Sequence, residues 1–324
     1  MPPARVLLTD RPWPDATIER RLLGEAGFEL VEAPDGREET LATLAVDCEG
    51  ILTCWAKVTA RVISAAPRLR GIGRLGIGLD NIDLATATGR GIPVTNVPDY
   101  CVEEVADHAL ALLLSLWRNM AYFRDQVNAG RYELAAAPPM HRLRGRMLGL
   151  IGLGRIGRAV AERAIGFGLR VQAHTASGSS HGADVPIVDL ETLLATSDAI
   201  SLHAPLTPAT HHLLNDARLS RCRPGVVLVN TSRGGLIDRA ALWRGILSGH
   251  IAGAGLDVFE VEPPDLTEPL YRDPRVVVTP HAAFVSVESL LDLRDRATRQ
   301  MIDILEGRRP ANVVNPAVYP AAAS

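Results

Sequence analysis

Three short segments in the second half of the chain carry an arginine, a carboxylate and a histidine at comparable places. They are Val229-Asn230-Thr231-Ser232-Arg233-Gly234-Gly235, Leu256-Asp257-Val258-Phe259-Glu260-Val261-Glu262-Pro263 and Val278-Thr279-Pro280-His281-Ala282-Ala283. Each begins in an apolar run that reads as a strand and continues past its C-terminal end. In an open parallel sheet those ends face the ligand crevice, so Arg233, Glu262 and His281 can converge although they lie far apart in sequence. The residue types suit the reduction of a keto acid. A guanidinium holds a carboxylate and a carbonyl oxygen with a rigid fork of donors. A histidine titrates in the range where a proton can be delivered to oxygen as hydride arrives at carbon. A carboxylate beside it would orient the imidazole and favour its protonated form.

A hydride needs a carrier, and Gly152-Leu153-Gly154-Arg155-Ile156-Gly157 supplies a place for one. This GxGxxG directly follows the apolar strand MLGLI and opens the helix RIGRAVAERAIGFG, which is the context that gives the motif meaning. The first glycine permits the tight turn, the second lets backbone approach a pyrophosphate, and the third lets helix and strand pack closely. The amides at the helix start then hold the anion. An acid about 20 residues further on usually binds the ribose hydroxyls. Here no Asp or Glu stands between Arg163 and Ala183, and Thr175 occupies the expected place. Thr175, Ser177, Ser179 and Ser180 offer hydroxyls, and His174 or His181 could add a cation. No arginine follows the second strand, and Arg155 is the candidate substitute. The expectation is NAD or NADP with weak discrimination and a slight lean to NADP.

Stepping these residues into position requires alternating strands and helices. Strands are expected at 6–9, 28–32, 50–54, 69–75 and 93–96, with helices at 15–26 and 59–65. A single long helical stretch is expected at 101–129, with Glu103 and Glu104 in its first turn, where the helix dipole favours them. Its apolar excess predicts burial on most sides and packing against a second subunit in a two-fold dimer. A second series places strands at 147–151, 169–173, 199–203, 225–230, 252–258 and 276–279, and helices at 156–167, 190–195, 239–248 and 286–306. Strands alternating with helices imply parallel sheets covered on both faces. The fold class is α/β with two doubly wound domains.

With 324 residues, a 47% hydrophobic fraction and 22% charged residues, the chain can bury full cores without metal or disulfide staples. A net charge of −3 and no long basic run argue against nucleic acid as the main partner. Cys48, Cys54, Cys101 and Cys222 form no CxxC pair, so they read as reduced thiols and no metal is expected. The N-terminus shows no signal-peptide pattern, and the most apolar run, 109–116, falls short of the ~20 residues that span a bilayer. A cytoplasmic protein without a membrane partner is expected. His203 stands at a strand end and lines the crevice, whereas His108, His211, His212 and His250 read as helix or surface residues.

The motifs GIGLDNID at Gly76–Asp83, VEEVADHAL, GLGRIG, HAPLTPATHHLL at His203–Leu214, NTSRGG, LDVFEVEP and TPHAA occur in this order. The chain resembles the D-isomer-specific 2-hydroxyacid dehydrogenase family over nearly its whole length. TPHAAF, VSVES and YCVEEVAD are most similar to the branch of C-terminal-binding-protein-like and phosphoglycerate-dehydrogenase-like proteins. The resemblance implies a Rossmann dinucleotide-binding domain (99–284) inserted in a flavodoxin-like substrate domain (1–98 with 285–324), the cofactor lying between them. By matched position, Arg233 would bind substrate carboxylate and carbonyl, His281 would be the acid/base and Glu262 its partner. Asp257 would hold the nicotinamide carboxamide. The cofactor surface would comprise Gly152, Gly154, Arg155, Ile156 and Gly157, then His174 and Thr175, His203, Ala204, Pro205 and Thr207, and finally Thr231, Ser232, Arg233, Asp257 and His281. The backbone of Ile77 and Gly78 would bind the substrate carboxylate. The specificity wall would include Trp55, with Lys57 and Arg74 as cations suited to a second anionic group and Trp117 and Met140 nearby. The implied activity is hydride transfer between a nicotinamide cofactor and a small 2-hydroxy or 2-keto acid. The alternative is a dinucleotide-sensing, corepressor-like interaction protein with little turnover.

Overall fold

The computed structural model describes residues 3–134 and 137–319. The chain opens with β1 (Arg5–Leu8), α1 (Thr17–Glu25), β2 (Glu29–Glu32), α2 (Glu38–Ala45), β3 (Gly50–Thr53), α3 (Ala60–Ala65), β4 (Gly71–Arg74), α4 (Leu84–Gly89) and β5 (Val94–Thr95). Next come α5 (Val102–Trp117), α6 (Met120–Asn128), β6 (Met147–Ile151), α7 (Arg155–Gly166), β7 (Arg170–His174), α8 (Leu190–Thr196) and β8 (Ala199–Leu202). They are followed by α9 (Asp216–Leu219), β9 (Val226–Asn230), α10 (Arg239–Leu247), β10 (Ile251–Leu256), α11 (Pro269–Arg272), β11 (Val276–Val278) and α12 (Val287–Leu305). Two units result, Met1–Tyr100 with Ser286–Ser324 and Cys101–Val285.

In the first unit the strands pair in parallel in the order β2-β1-β3-β4-β5. β3 and β4 are buried throughout, as strands covered on both faces must be. The return helix α12 begins with a capping box between Ser286 and Ser289, which satisfies amides that the helix itself cannot. Its buried Arg294 makes a bidentate pair with the fully buried Glu19 of α1, at 2.8 and 2.7 Å. The guanidinium also lies over the Trp13 ring, 5.2 Å from its centroid.

The second unit holds a parallel sheet in the order β11-β10-β9-β8-β6-β7. β6 is flanked by β7 on one side and β8 on the other, so the chain reverses direction across the sheet at β6 and β8. Ligands of doubly wound sheets bind beyond the strand ends at such a reversal. The glycine motif follows β6 and His203 follows β8.

The long helix expected at 101–129 is two helices. Asn119 adopts φ 51°, ψ 35°, the left-handed conformation that ends a helix and that asparagine tolerates better than most residues. Its side chain donates to Pro138 O at 2.8 Å. The burial of α5 has a source within its own unit. Val105, Ala106, Ala109, Leu110, Leu112 and Leu113 are buried against α7, β9, β10 and β11. Its apolar character therefore does not require a second subunit. Large apolar side chains are exposed instead on α6 and just after it, at Met120, Val127, Tyr132 and Leu134.

Candidate active site

The loop after β9 is folded by Asn230. Its Oδ1 accepts the Ser232 amide at 3.0 Å and its Nδ2 donates to Arg233 O at 2.9 Å. Arg233 itself is extended and partly buried, and its Nη1 donates to Ser232 O at 2.8 Å. The next residue must be glycine. A Cβ on Gly234 would stand 2.0 Å from the carbonyl carbon of Phe259 and 2.2 Å from the Glu260 nitrogen. The arginine loop is thereby pressed against the loop that carries the carboxylate.

In that second loop Glu262 folds back on its own backbone. Oε1 accepts the Phe259 amide at 2.9 Å, and Oε2 lies 2.7 Å from His281 Nδ1. Burial pushes the Glu262 carboxyl up. The hydrogen bond and charge of His281, the Phe259 amide and the charge of Arg233 outweigh burial and hold it below its ordinary value. Arg233, Glu262 and His281 therefore form one electrostatic cluster.

His281 sits at φ 53°, a left-handed conformation uncommon for a residue with a side chain and often found at functional sites. Asp257 secures it. The Asp257 carbonyl accepts the His281 amide at 2.8 Å. Its fully buried carboxylate accepts from Thr279 Oγ1 at 2.6 Å and from the amides of Ala282 and Ala283 at 2.8 and 3.0 Å. Asp257 thus acts on the histidine loop, a role that its matched position in the family did not disclose. His108, read from sequence as a helix or surface residue, is part of the same network. Its Nε2 lies 2.9 Å from Thr279 Oγ1. That hydroxyl gives its proton to Asp257, so Nε2 of His108 carries a proton and donates.

The glycine motif is built for an anion. Gly152 has φ 98°, and a Cβ there would stand 2.6 Å from the carbonyl of His203. Gly157 packs against Gly152, since a Cβ on it would come within 2.4 Å of Gly152 O. Gly154 is the N-cap of α7 and makes no side-chain cap. A Cβ there would meet nothing within 4 Å among the described residues, so the helix start is open beside Gly154, and a helix leaves its first-turn amides without partners of its own. Thr231 adds a buried hydroxyl with no hydrogen-bond partner among the described residues. An open helix start and an orphaned hydroxyl fit a phosphate-bearing dinucleotide. Ser232 Oγ donates to Ala204 O at 2.6 Å, and Thr210 Oγ1 to Pro205 O at 2.7 Å. These bonds fix the wall containing Thr207. His203 is bonded to Ser201 Oγ at 2.8 Å, and burial pushes its imidazole down to about 4. It is therefore neutral at physiological pH.

At the end of β7 and in the loop after it, His174 Nδ1 lies 3.2 Å from Val188 O, and Thr175 Oγ1 donates to Ser179 O at 3.0 Å. Arg155 is exposed. The arginine that reaches the loop is Arg158, whose Nη1 donates to His181 O at 2.8 Å. Sequence reading overlooked it because it lies one turn into the helix, outside the motif.

In the first unit, Asp10 accepts the amides of Cys54 and Trp55 at 2.9 and 2.7 Å, holding the exposed Trp55 in its turn. Ile77 O accepts from Asn96 at 2.8 Å and Gly78 O from Arg74 Nε at 2.9 Å. Arg74 is buried, and its guanidinium also donates to Leu75 O. It shapes the Gly76–Gly78 turn. Lys57 is exposed.

Residues 110–283 match the family described as D-isomer specific 2-hydroxyacid dehydrogenase, NAD binding domain. A glyoxylate reductase of Korarchaeum cryptofilum is 39% identical over 291 residues, covering 88% of this chain and 87% of the relative. A hydroxypyruvate reductase of Thermotoga maritima is 43% identical over 235 residues, 72% of this chain and 76% of the relative. The structure of D-lactate dehydrogenase from Aquifex aeolicus, complexed with NAD and lactic acid, superposes with a TM-score of 0.87 at 29% identity, covering 98% of this chain and 100% of that one. The chain belongs to the D-isomer-specific 2-hydroxyacid dehydrogenases, oxidoreductases that act on CH–OH donors and use a nicotinamide cofactor.

Proposed function

We propose that this protein reduces a small 2-keto acid of the glyoxylate or hydroxypyruvate type to the D-2-hydroxy acid. The observation that carries the reading is the 2.7 Å contact between Glu262 and His281, with Arg233 acting on the same carboxylate. Bound nicotinamide supplies hydride to the keto carbon. Arg233 binds the substrate carboxylate and carbonyl oxygen and stabilises the charge that develops there. Glu262 holds Nδ1 of His281, so the proton delivered to the substrate oxygen is the one on Nε2. The amides of Ile77 and Gly78 bind the substrate carboxylate. Small monoanionic substrates are favoured because the buried Arg74 is engaged with backbone carbonyls. A reductase screen of glyoxylate, pyruvate, hydroxypyruvate, phosphonopyruvate and 2-ketoglutarate with each cofactor tests this. Glyoxylate or hydroxypyruvate should give the highest kcat/KM, and a preference for phosphonopyruvate would overturn the substrate class.

The cofactor reading is acceptance of both NAD and NADP with a slight lean to NADP. It is supported by Thr175 where a carboxylate would repel a 2′-phosphate, and by Arg158 of α7, whose guanidinium donates to His181 O in the loop that follows Thr175.

We further propose a homodimer. Its interface lies on the exposed apolar surface of α6 and the residues after it, with Tyr132 97% and Leu134 81% exposed. A monomeric mass in solution at micromolar concentration would contradict it.

A further inference from the structure

A second histidine–carboxylate cluster lies outside the proposed hydride chemistry. His211 and His212 follow one another in the turn after β8, and Glu260 stands in the loop after β10. Successive side chains normally diverge, both along a helix and along a strand. Here His212 takes φ 48°, and the two imidazoles stack with centroids 3.9 Å apart and planes 24° from parallel. The turn is fixed by backbone bonds, the His211 amide to Thr207 O at 2.9 Å and the His212 amide to Gly235 O at 2.7 Å. Both Nε2 atoms converge on one carboxylate oxygen. Glu260 Oε1 lies 3.2 Å from His212 Nε2 and 3.5 Å from His211 Nε2.

A tetrahedral ion bound at about 2.0–2.1 Å holds its ligand atoms about 3.3 Å apart. The two nitrogen–oxygen separations bracket that spacing. We infer that His211, His212 and Glu260 form a binding site for a divalent transition-metal ion of the zinc class, with its fourth position open to solvent. Two imidazoles and one carboxylate suit zinc, cobalt or nickel, whereas magnesium and calcium require oxygen ligands. The thiols of Cys48, Cys54 and Cys222 are poor rivals. Burial pushes Cys54 and Cys222 up to about 12 and Cys48 to about 11, so they stay protonated near neutrality and thiolate is the form that ligates. The rival pair is His281 with Glu262.

Such an ion would tie together three loops: the one bearing Thr207, the one bearing Gly235 just after Arg233, and the one bearing Glu260 just before Glu262. None of the three ligands is assigned to hydride transfer, so the site stands or falls separately from the proposed reaction.

The experiment is calorimetric titration of the full chain with Zn2+ alone, paired with Co2+ absorption spectra. Wild type should take one ion per chain and give the intense d–d bands of tetrahedral cobalt. His212→Asn keeps a residue that tolerates the left-handed turn, and Glu260→Gln keeps the side-chain shape. Each should weaken binding by about tenfold or more, since even groups that merely orient a ligand have effects of that size. His281→Asn should leave the affinity unchanged. Absence of binding, binding that survives both ligand substitutions, or binding lost with His281→Asn would overturn the assignment.

Discussion

Glu262 bridges two loops: Oε1 accepts the amide of Phe259 at 2.9 Å, three residues back in its own loop, and Oε2 reaches His281 Nδ1 at 2.7 Å. The carboxylate is fixed at one end and orients the imidazole at the other. Because the charges of His281 and Arg233 act on it together with those hydrogen bonds, it remains ionised through the neutral range.

Replacing His281 should remove the proton donor and leave the remaining geometry in place. His281→Asn should lower kcat by about 10²–10⁴-fold, the usual contribution of a positioned acid or base, with dinucleotide affinity little changed. Steady-state kinetics with a separate cofactor titration checks both halves. Full turnover in the variant would remove His281 from the mechanism.

Glu262 holds Nδ1 of His281 at 2.7 Å and so fixes the direction in which Nε2 points. Glu262→Gln keeps a hydrogen-bond acceptor of the same shape but deletes the charge, and the ring is held less firmly. The variant should lose about tenfold or more in kcat, with cofactor affinity little changed. Steady-state kinetics with a separate cofactor titration checks both. Unchanged kcat would mean that Glu262 does not orient the ring.

His203 makes an acid-stability prediction with a definite sign. Its imidazole titrates near 6.5 in the unfolded chain and about 4 in the folded one. Above 6.5 both states are neutral and the residue contributes no pH dependence. As pH falls from 6.5 to 4 the unfolded chain takes up the proton first. Stability is therefore lost across that window, by up to about 3 kcal/mol, and no further loss comes from this residue below it. Urea unfolding of wild type and His203→Gln at several pH values should show a shallower slope in the variant. Equal slopes would mean that His203 is solvated.

The loop after β7 tests the cofactor proposal. Thr175→Asp restores a carboxylate that accepts ribose hydroxyls and repels a 2′-phosphate, and should shift the ratio of kcat/KM values toward NADH by about 10–100-fold. Arg158→Ala should raise KM for NADPH and leave KM for NADH nearly unchanged. A wild-type preference for NADH above about 100-fold, roughly 2.7 kcal/mol, would show that the hydroxyl cluster does not accept phosphate.

Much of this arrangement was legible from local pattern. β6 runs from Met147 to Ile151 as its apolar run indicates, and the GxGxxG after it opens α7. Arg233, Glu262 and His281 stand at strand ends because parallel sheets put chemistry there. What escaped depends on conformations or contacts that carry no sequence period. Asn119 breaks a helix inside a run whose residues otherwise suit helix. α2 was not anticipated because its eight residues offer barely two turns of pattern. Arg74 looks like a free cation until its carbonyl partners at Leu75 and Gly78 are seen. The stacked pair His211–His212 and its carboxylate, 48 residues apart for the bonded pair, are joined only by folding.

The most direct test is reduction of glyoxylate and hydroxypyruvate by the purified protein with NADH and with NADPH, followed by chiral analysis of the hydroxypyruvate product. Cofactor oxidation should depend on keto acid, D-glycerate should form, and both should be lost in His281→Asn. An L product, or no oxidation with either keto acid and either cofactor, would contradict the proposed function.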